Sequence, residues 1–424
     1  LVLPRRVVTG DLVMEDGLIV QIAPRAEAGA DDEVVDCRGQ LVLPGLIDAS
    51  VRFRAYTRKG DESLATGTMA AVKGGVTSVL EVADAHPEEV HDARTLAAKL
   101  ALADESCWVD YGFWMRGETA SVATALATPG IVGVRLAIDC SSAQGPILER
   151  WFADYDGVLA VHAEDRERLA SRYAMYESAP DVTLHHRIRD VETAVRGTRR
   201  ALELAARHGT RVHLLDVSSA EQVELLTDAG LPRVTAAVAL ARLVFTADDV
   251  ARLGTRLQCN PPLRAPHHRD ALWRALETGD LGMVCSDHCP SSLAAKALPY
   301  PSSASGLTGV EWLLPRLYTA LQARGDSVLQ LARWCAEAPA TAFGLHGKGR
   351  LEVGFDADVV VVDPEMERTV TDGMTWSAAG WSPYSGQVLR GWPVDVWRHG
   401  RAVLRAGELT TRVRGRPLNP RSTR

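Results

Sequence analysis

Leu41-Val42-Leu43-Pro44-Gly45-Leu46-Ile47-Asp48-Ala49-Ser50-Val51-Arg52-Phe53-Arg54 is the stretch that decides the fold. Its apolar run is broken by Pro44-Gly45, resumes at Leu46-Ile47 and stops at the polar Asp48 and Ser50, which is how a buried strand reads when it delivers side chains into a site. Toward the C-terminus, apolar runs alternate with helical patterns, and strands are expected at 46–50, 76–82, 107–113, 131–137, 157–162, 211–216, 233–238 and 282–287. Helices are expected between them at 62–73, 87–103, 118–127, 145–153, 190–208, 219–229 and 268–278, and after them at 309–323 and 327–337. Amphipathic spacing is clearest from Val191 to Ala206, through Val191, Ala194, Val195, Ala201, Leu202, Leu204 and Ala205. Such alternation is parallel βαβ construction, and eight is the number of strands that closes a barrel.

The two chain ends read differently. Residues 7–43 carry short strand patterns with turn signals at Thr9-Gly10-Asp11 and Glu15-Asp16-Gly17, and the segments from Gly354 to Asp363 and from Val394 to Leu404 read the same way. The expected fold class is α/β: a (β/α)8 TIM barrel over 44–349 and a small β-sandwich domain formed by 1–43 with 350–412. The basic tail from Arg412 to Arg424 is expected to fray.

With 424 residues, 46% of them hydrophobic, the chain can bury a core of that size. A net charge of -7 gives no reason to expect nucleic acid or an anionic membrane as partner. No apolar run reaches the roughly 18 residues of a membrane span, and residues 1–20 lack a basic region followed by an apolar stretch, so the expected address is the cytoplasm. The 7 cysteines lie scattered, mostly in apolar strand-like segments, which argues for buried thiols and against a disulfide framework.

Several of these segments together resemble the amidohydrolase superfamily, in its cyclic-amide branch of dihydroorotases, allantoinases and dihydropyrimidinases. The opening stretch is similar to that family's first barrel strand, PGLID-x-H-x-H-x-R, whose two histidines hold a catalytic metal; here those positions are Ser50 and Arg52, and only Arg54 stands where the family has its arginine. The resemblance implies that Arg54 grips a substrate carboxylate, for which bidentate guanidinium geometry is suited. Val82-Ala83-Asp84-Ala85-His86-Pro87 resembles the family's MPNT-x-P, with Asp84 in place of a substrate-binding asparagine. An ionised carboxylate can only accept, so dihydroorotate itself is not the expected ligand.

Farther along, Arg135 falls where many relatives carry a carboxylated lysine that bridges two metals, a role closed to a guanidinium. Val161-His162-Ala163-Glu164-Asp165 matches H-x-E-D, which puts His162 at a ligand position. His213-Leu214-Leu215-Asp216-Val217-Ser218 stands against H-x-x-H-V-S, which puts Asp216 in the place of a ligand histidine; His213, an odd number of residues away, is expected to pack. Asn260-Pro261-Pro262-Leu263-Arg264 reproduces a family motif, so Asn260 is expected to line the pocket. Cys285-Ser286-Asp287-His288-Cys289-Pro290-Ser291 stands against TDHAPH, with Asp287 in the place of the general base.

What survives of the family's metal set is His162 and Asp287, with Asp216 able to add an oxygen. Three protein ligands are the norm for a catalytic zinc, so a single weakly bound zinc on His162, Asp216 and Asp287 stays open, while no cofactor is expected. Acids gathered in a poorly hydrated pocket need compensation, since two like charges about 4 Å apart repel by roughly 4 kcal/mol at an effective dielectric near 20. Arg52 and Arg135 are expected to supply it by pairing with the acids.

The function expected is metal-independent opening or closing of a C–N bond in a small carboxylate-bearing amide, imide or ureide. Asp287 would be the acid/base, with His162 as its partner, and Arg54, Asp84, Arg52, Arg135, Asp216 and Asn260 would bind substrate. The alternatives are an inactive dihydroorotase-like barrel serving as scaffold, and a weak mononuclear zinc hydrolase. Expected partners are a small-molecule ligand together with a second copy of the chain or another enzyme subunit.

Overall fold

The computed structural model describes residues 1–53, 62–82, 89–138, 140, 145–178, 180–411 and 413–419. The chain opens with two small antiparallel hairpins, β1 (Val2–Leu3) with β2 (Arg6–Val7) and β3 (Asp11–Glu15) with β4 (Leu18–Ala23). Next come β5 (Leu41–Pro44) and the barrel strands β6 (Leu46–Val51), β7 (Val76–Val82), β8 (Asp110–Arg116), β9 (Gly133–Ala137), β10 (Val158–His162), β11 (Arg211–Leu214), β12 (Val234–Ala239) and β13 (Met283–Cys285). The neighbours β6 to β13 pair in parallel and in sequence order, the layout of a (β/α)8 barrel. Every residue of β6, β7 and β13 is buried, as expected of parallel strands covered on both faces.

The two ends of this eight-strand sheet meet beside the future site. No regular ladder joins β6 to β13; Val51 and His288 form a single parallel bridge, and the amide of Arg52 donates to the carbonyl of His288 at 2.7 Å. Below that bridge the buried Asp48 closes the seam with its side chain: Oδ1 accepts the Ser286 amide at 3.1 Å and the Ser50 amide at 3.3 Å. The sequence reads Asp48 as a side chain delivered to a site, whereas the structure uses it as a clasp. A carboxylate can replace ladder hydrogen bonds there because it accepts from two amides at once.

The chain ends form a separate antiparallel sheet in the order β17 (Glu408–Leu409), β16 (Arg401–Arg405), β15 (Val388–Arg398), β14 (Val359–Thr369) and β5. Only Gly45 separates β5 in this sheet from β6 in the barrel, so the opening stretch belongs to both. A Cβ at Gly45 would lie 2.2 Å from the Thr77 hydroxyl oxygen, which is why the crossing takes glycine.

A buried charge cluster ties the two sheets together. Asp110, at the start of β8, accepts Lys348 Nζ at 2.8 Å and His399 Nε2 at 2.8 Å and pairs with Arg398; Lys348 also reaches Asp358 at 2.7 Å. The tail joins in. The Arg416 amide donates to Asp110 Oδ1 at 2.9 Å, the Leu418 amide donates to the Tyr111 carbonyl at 2.8 Å, and Leu418 is buried. Residues 413–419 are therefore docked against the barrel, contrary to the fraying expected from their basic composition. Among the described residues no helix is long and apolar enough to cross a membrane.

Burial alone would raise the Asp110 pKa, but the charges of Lys348 and Arg398 and the contact with His399 hold it well below the usual carboxylate range. Its stabilising contribution is thus present above the unfolded value near 3.8 and is lost only as pH falls toward the lower folded value. Asp110→Asn should cost about 3–5 kcal/mol in denaturant unfolding at pH 7, as expected for removing one partner of a buried pair. The gap to wild type should stay level down to about pH 4 and narrow only below it.

Candidate active site at the carboxyl end of the barrel

Six of the barrel strands deliver a charged or polar group to the same end. β6 runs into Arg52, β9 carries Arg135, β10 ends in His162, and Asp216, Arg242 and Asp287 follow β11, β12 and β13. Arg52, Arg135, His162, Asn260 and Asp287 line a cavity of about 400 Å³, within the usual range for a small-molecule site.

The wall is a row of alternating charges. Arg52 Nη1 is 2.8 Å from Asp287 Oδ1. Arg242 Nη1 lies 3.8 Å from Asp287 Oδ2 and 3.8 Å from Asp216 Oδ1, and its Nη2 donates to the Pro261 carbonyl at 2.8 Å. Asp216 Oδ2 faces His162 Nδ1 at 3.3 Å, and His162 Nε2 meets Glu164 Oε2 at 2.8 Å. Glu164 is in turn held by Arg189, whose Nε donates to Oε1 at 3.2 Å. From end to end the row reads Arg189, Glu164, His162, Asp216, Arg242, Asp287, Arg52.

Each ionisation state follows from its neighbours. Burial works against a charged His162, but its hydrogen bonds to Asp216 and Glu164 outweigh that and raise its pKa, which favours an imidazolium donating from both ring nitrogens. Burial would raise Asp216, but the His162 contact and the Arg242 charge bring it down to about 2. Glu164 is likewise held below the usual range, against burial, by the Arg189 charge and by His162. Asp287 goes the other way: burial, then the charge of Asp216, push it up to about 6 despite Arg52 and Arg242. Its backbone is left-handed, with φ of 49°, an uncommon conformation that concentrates at functional sites.

Set against the residues named from sequence, the outcome is uneven. Arg52 reaches Asp287. Arg135 lines the same cavity, but its guanidinium lies 3.3 Å from Glu118, so among the described residues the second cation between the acids is Arg242 instead. Asp216 faces the His162 ring at 3.3 Å and is not among the described residues that line the cavity. Asn260 lines the cavity and its Oδ1 is 2.9 Å from His185 Nε2. Arg54 and Asp84 lie outside the described residues. His213 packs as the strand alternation implies, 2.9 Å from the Thr235 hydroxyl and edge-on to Phe343.

Arg242, Glu164 and Arg189 were not singled out from sequence. Arg242 had a signal: it is the one basic residue in the otherwise apolar run Val238–Phe245 just past a barrel strand. A charge there must face a partner or a ligand, because nothing else offsets its desolvation.

Residues 41–403 match the amidohydrolase family. The chain is 31% identical over 430 residues to an allantoinase from Rubrobacter xylanophilus, covering 97% of this chain and 94% of that protein. It is 31% identical over 417 residues to a dihydroorotase from Bacillus caldolyticus, covering 92% and 95%. Its fold superimposes on L-hydantoinase (dihydropyrimidinase) from Arthrobacter aurescens with a TM-score of 0.90 and 25% identity, over 97% of this chain and 96% of that one.

Homologues of these types are typically binuclear-metal enzymes, and this overturns the sequence expectation that no cofactor is needed: within the family, metal is the rule. The donors present here fit a two-metal centre poorly. The positions that the resemblance assigns to metal ligands hold Ser50, Arg52, Arg135 and Asp216 beside His162 and Asp287, and a guanidinium is no ligand. Among the described residues no group of three or more His, Cys, Asp or Glu is placed to hold a metal ion. The sequence match, the barrel and the position of the cavity agree that the chain belongs to the amidohydrolase family, in its cyclic branch of allantoinase, dihydroorotase and hydantoinase type.

Proposed function

We propose that the cavity opens or closes a C–N bond in a small cyclic amide, imide or ureide that carries an anionic group. Asp287 acts as the acid/base. In ring opening it takes a proton from the attacking water and passes it to the leaving ring nitrogen as the C–N bond breaks; in ring closure it takes the proton from the attacking nitrogen and passes it to the departing hydroxide, which leaves as water. The observation that carries this reading is the state of Asp287. It is a carboxylate on a strained backbone at the end of the eighth barrel strand, lining the cavity, with its pKa raised to about 6, where it can both accept and donate near neutral pH.

Arg52 and Arg135 face the same cavity and stabilise oxyanion charge as it develops on the ring carbonyl, and Asn260 offers its amide to the ring. Arg54 grips the substrate carboxylate, and Asp84 accepts from a ring N–H. His162 has both nitrogens engaged by carboxylates, so it serves as a fixed positive charge that holds Asp216 in line and not as a proton shuttle. Arg242 is a positioning residue: it sits between Asp216 and Asp287 and sets how strongly each feels the other.

A second reading, a barrel that binds without turning over, is favoured by one observation: Asp287 and His162 are already paired within the protein. The two readings part in a turnover assay on hydantoin, allantoin and dihydroorotate. Asp287→Asn should lower kcat/KM by about 100-fold or more on whichever ring is processed, the usual range for losing a general acid or base, while the protein stays folded. No turnover of any ring by the wild type would favour the second reading, and an unchanged rate in the variant would reject Asp287 as the acid/base.

Arg242→Met should destabilise the fold by about 3–5 kcal/mol in denaturant unfolding, because it leaves two buried acids facing each other. Adding Asp216→Asn should recover part of that loss, and purely additive effects would deny that the row acts as a unit.

A further inference from the structure

We propose that Arg166 is a specificity-determining residue of this site, reading an anionic substituent on the ring substrate at the cavity wall. The inference rests on the reading of the cavity as a cyclic-amide site. It concerns a residue outside the acid–arginine row that bears the chemistry.

Among the described residues four arginines line the cavity: Arg52, Arg135, Arg166 and Arg189. Three have a carboxylate of their own, Arg52 with Asp287 at 2.8 Å, Arg135 with Glu118 at 3.3 Å and Arg189 with Glu164 at 3.2 Å. Arg166 has no ion pair among the described residues and is exposed to solvent within the cavity. Pairing thus accounts for every lining cation among the described residues except one. An arginine on an open surface would simply be solvated, but this one shares a concave wall with groups that already neutralise one another, so an incoming anion finds its unpaired partner there. Its planar fork of N–H groups suits a carboxylate or a similar oxyanion.

The element that carries it strengthens the case. The helix Arg166–Met175 buries none of its residues, so apolar packing does not explain its position. Polar pins fix it: Asp165 caps its first turn by accepting from the Glu167 amide at 3.1 Å, and Arg168 Nε donates to Asp190 at 3.0 Å. Of its side chains, Arg166 and Leu169 line the cavity, three apart and hence on one face. A cation beside an apolar surface fits a substituent with a short carbon arm ending in a charged group. A bare ring offers nothing to either.

The test measures binding of a matched pair of probes, 5-carboxymethylhydantoin and hydantoin, by calorimetry on the full-length protein. Wild type should prefer the anionic ring by at least about 10-fold, and Arg166→Gln should cut that preference by about fivefold or more, the scale of losing one charge-assisted contact, with Arg54 holding the remainder. Arg166→Lys should keep part of it. The ratio guards against misfolding, which lowers both affinities together. A preference retained in full in Arg166→Gln would overturn the proposal. Wild type binding both rings equally would sink the proposal and the anionic group of the substrate while leaving the cyclic-amide reading in place, whereas wild type binding neither would sink that reading and this inference with it.

Discussion

Acids gathered at one end of a barrel must be neutralised, and the arrangement of the site follows from how this chain does so. Asp287, Asp216 and Glu164 are buried and close in space, and each is flanked by cations: Arg52 and Arg242 for Asp287, Arg242 and His162 for Asp216, His162 and Arg189 for Glu164. In a medium of low polarisability, unpaired acids at such spacing would repel by several kcal/mol. The alternation removes that cost and also grades the acids. Glu164 and Asp216 are held ionised, and Asp287 is left near neutrality in pKa and open to the cavity. A family whose members typically carry metal ions here shows guanidinium groups at places where the resemblance puts ligands.

The scaffold makes that row possible by holding strand ends in register. Asp48 clasps the seam between the first and eighth strands directly below Arg52 and Asp287, so the closure of the barrel and the central ion pair depend on the same few residues. At the start of β8, the Asp110 cluster fixes the terminal sheet to the barrel, and Gly45 lets one continuous stretch serve both. Charge is used twice in this chain, once to join its parts and once to shape its cavity.

Much of the fold was legible because periodicity and burial are written locally. Each of the eight expected strands overlaps an observed one, with the ends shifted by up to three residues, as at 107–113 against Asp110–Arg116. Residues 413–419 of the tail were misread because composition says nothing about docking: Leu418 is one apolar residue in a basic stretch, yet it and two backbone amides bind that stretch to β8. Within the site, positions at strand ends were readable one by one, but their partners were not. Arg135 and Arg242 look alike as isolated cations. Which of them reaches Asp216 and Asp287 depends on the loop after β12, a matter of three-dimensional course and not of spacing.

The central claim is that arginine cations occupy the space between the site's acids. A high-resolution crystal structure tests it most directly. The account predicts planar guanidinium density for Arg52 within hydrogen-bonding distance of Asp287, and for Arg242 between Asp287 and Asp216. Density with both guanidinium heads turned away and the acids gathered around some other cation would contradict it.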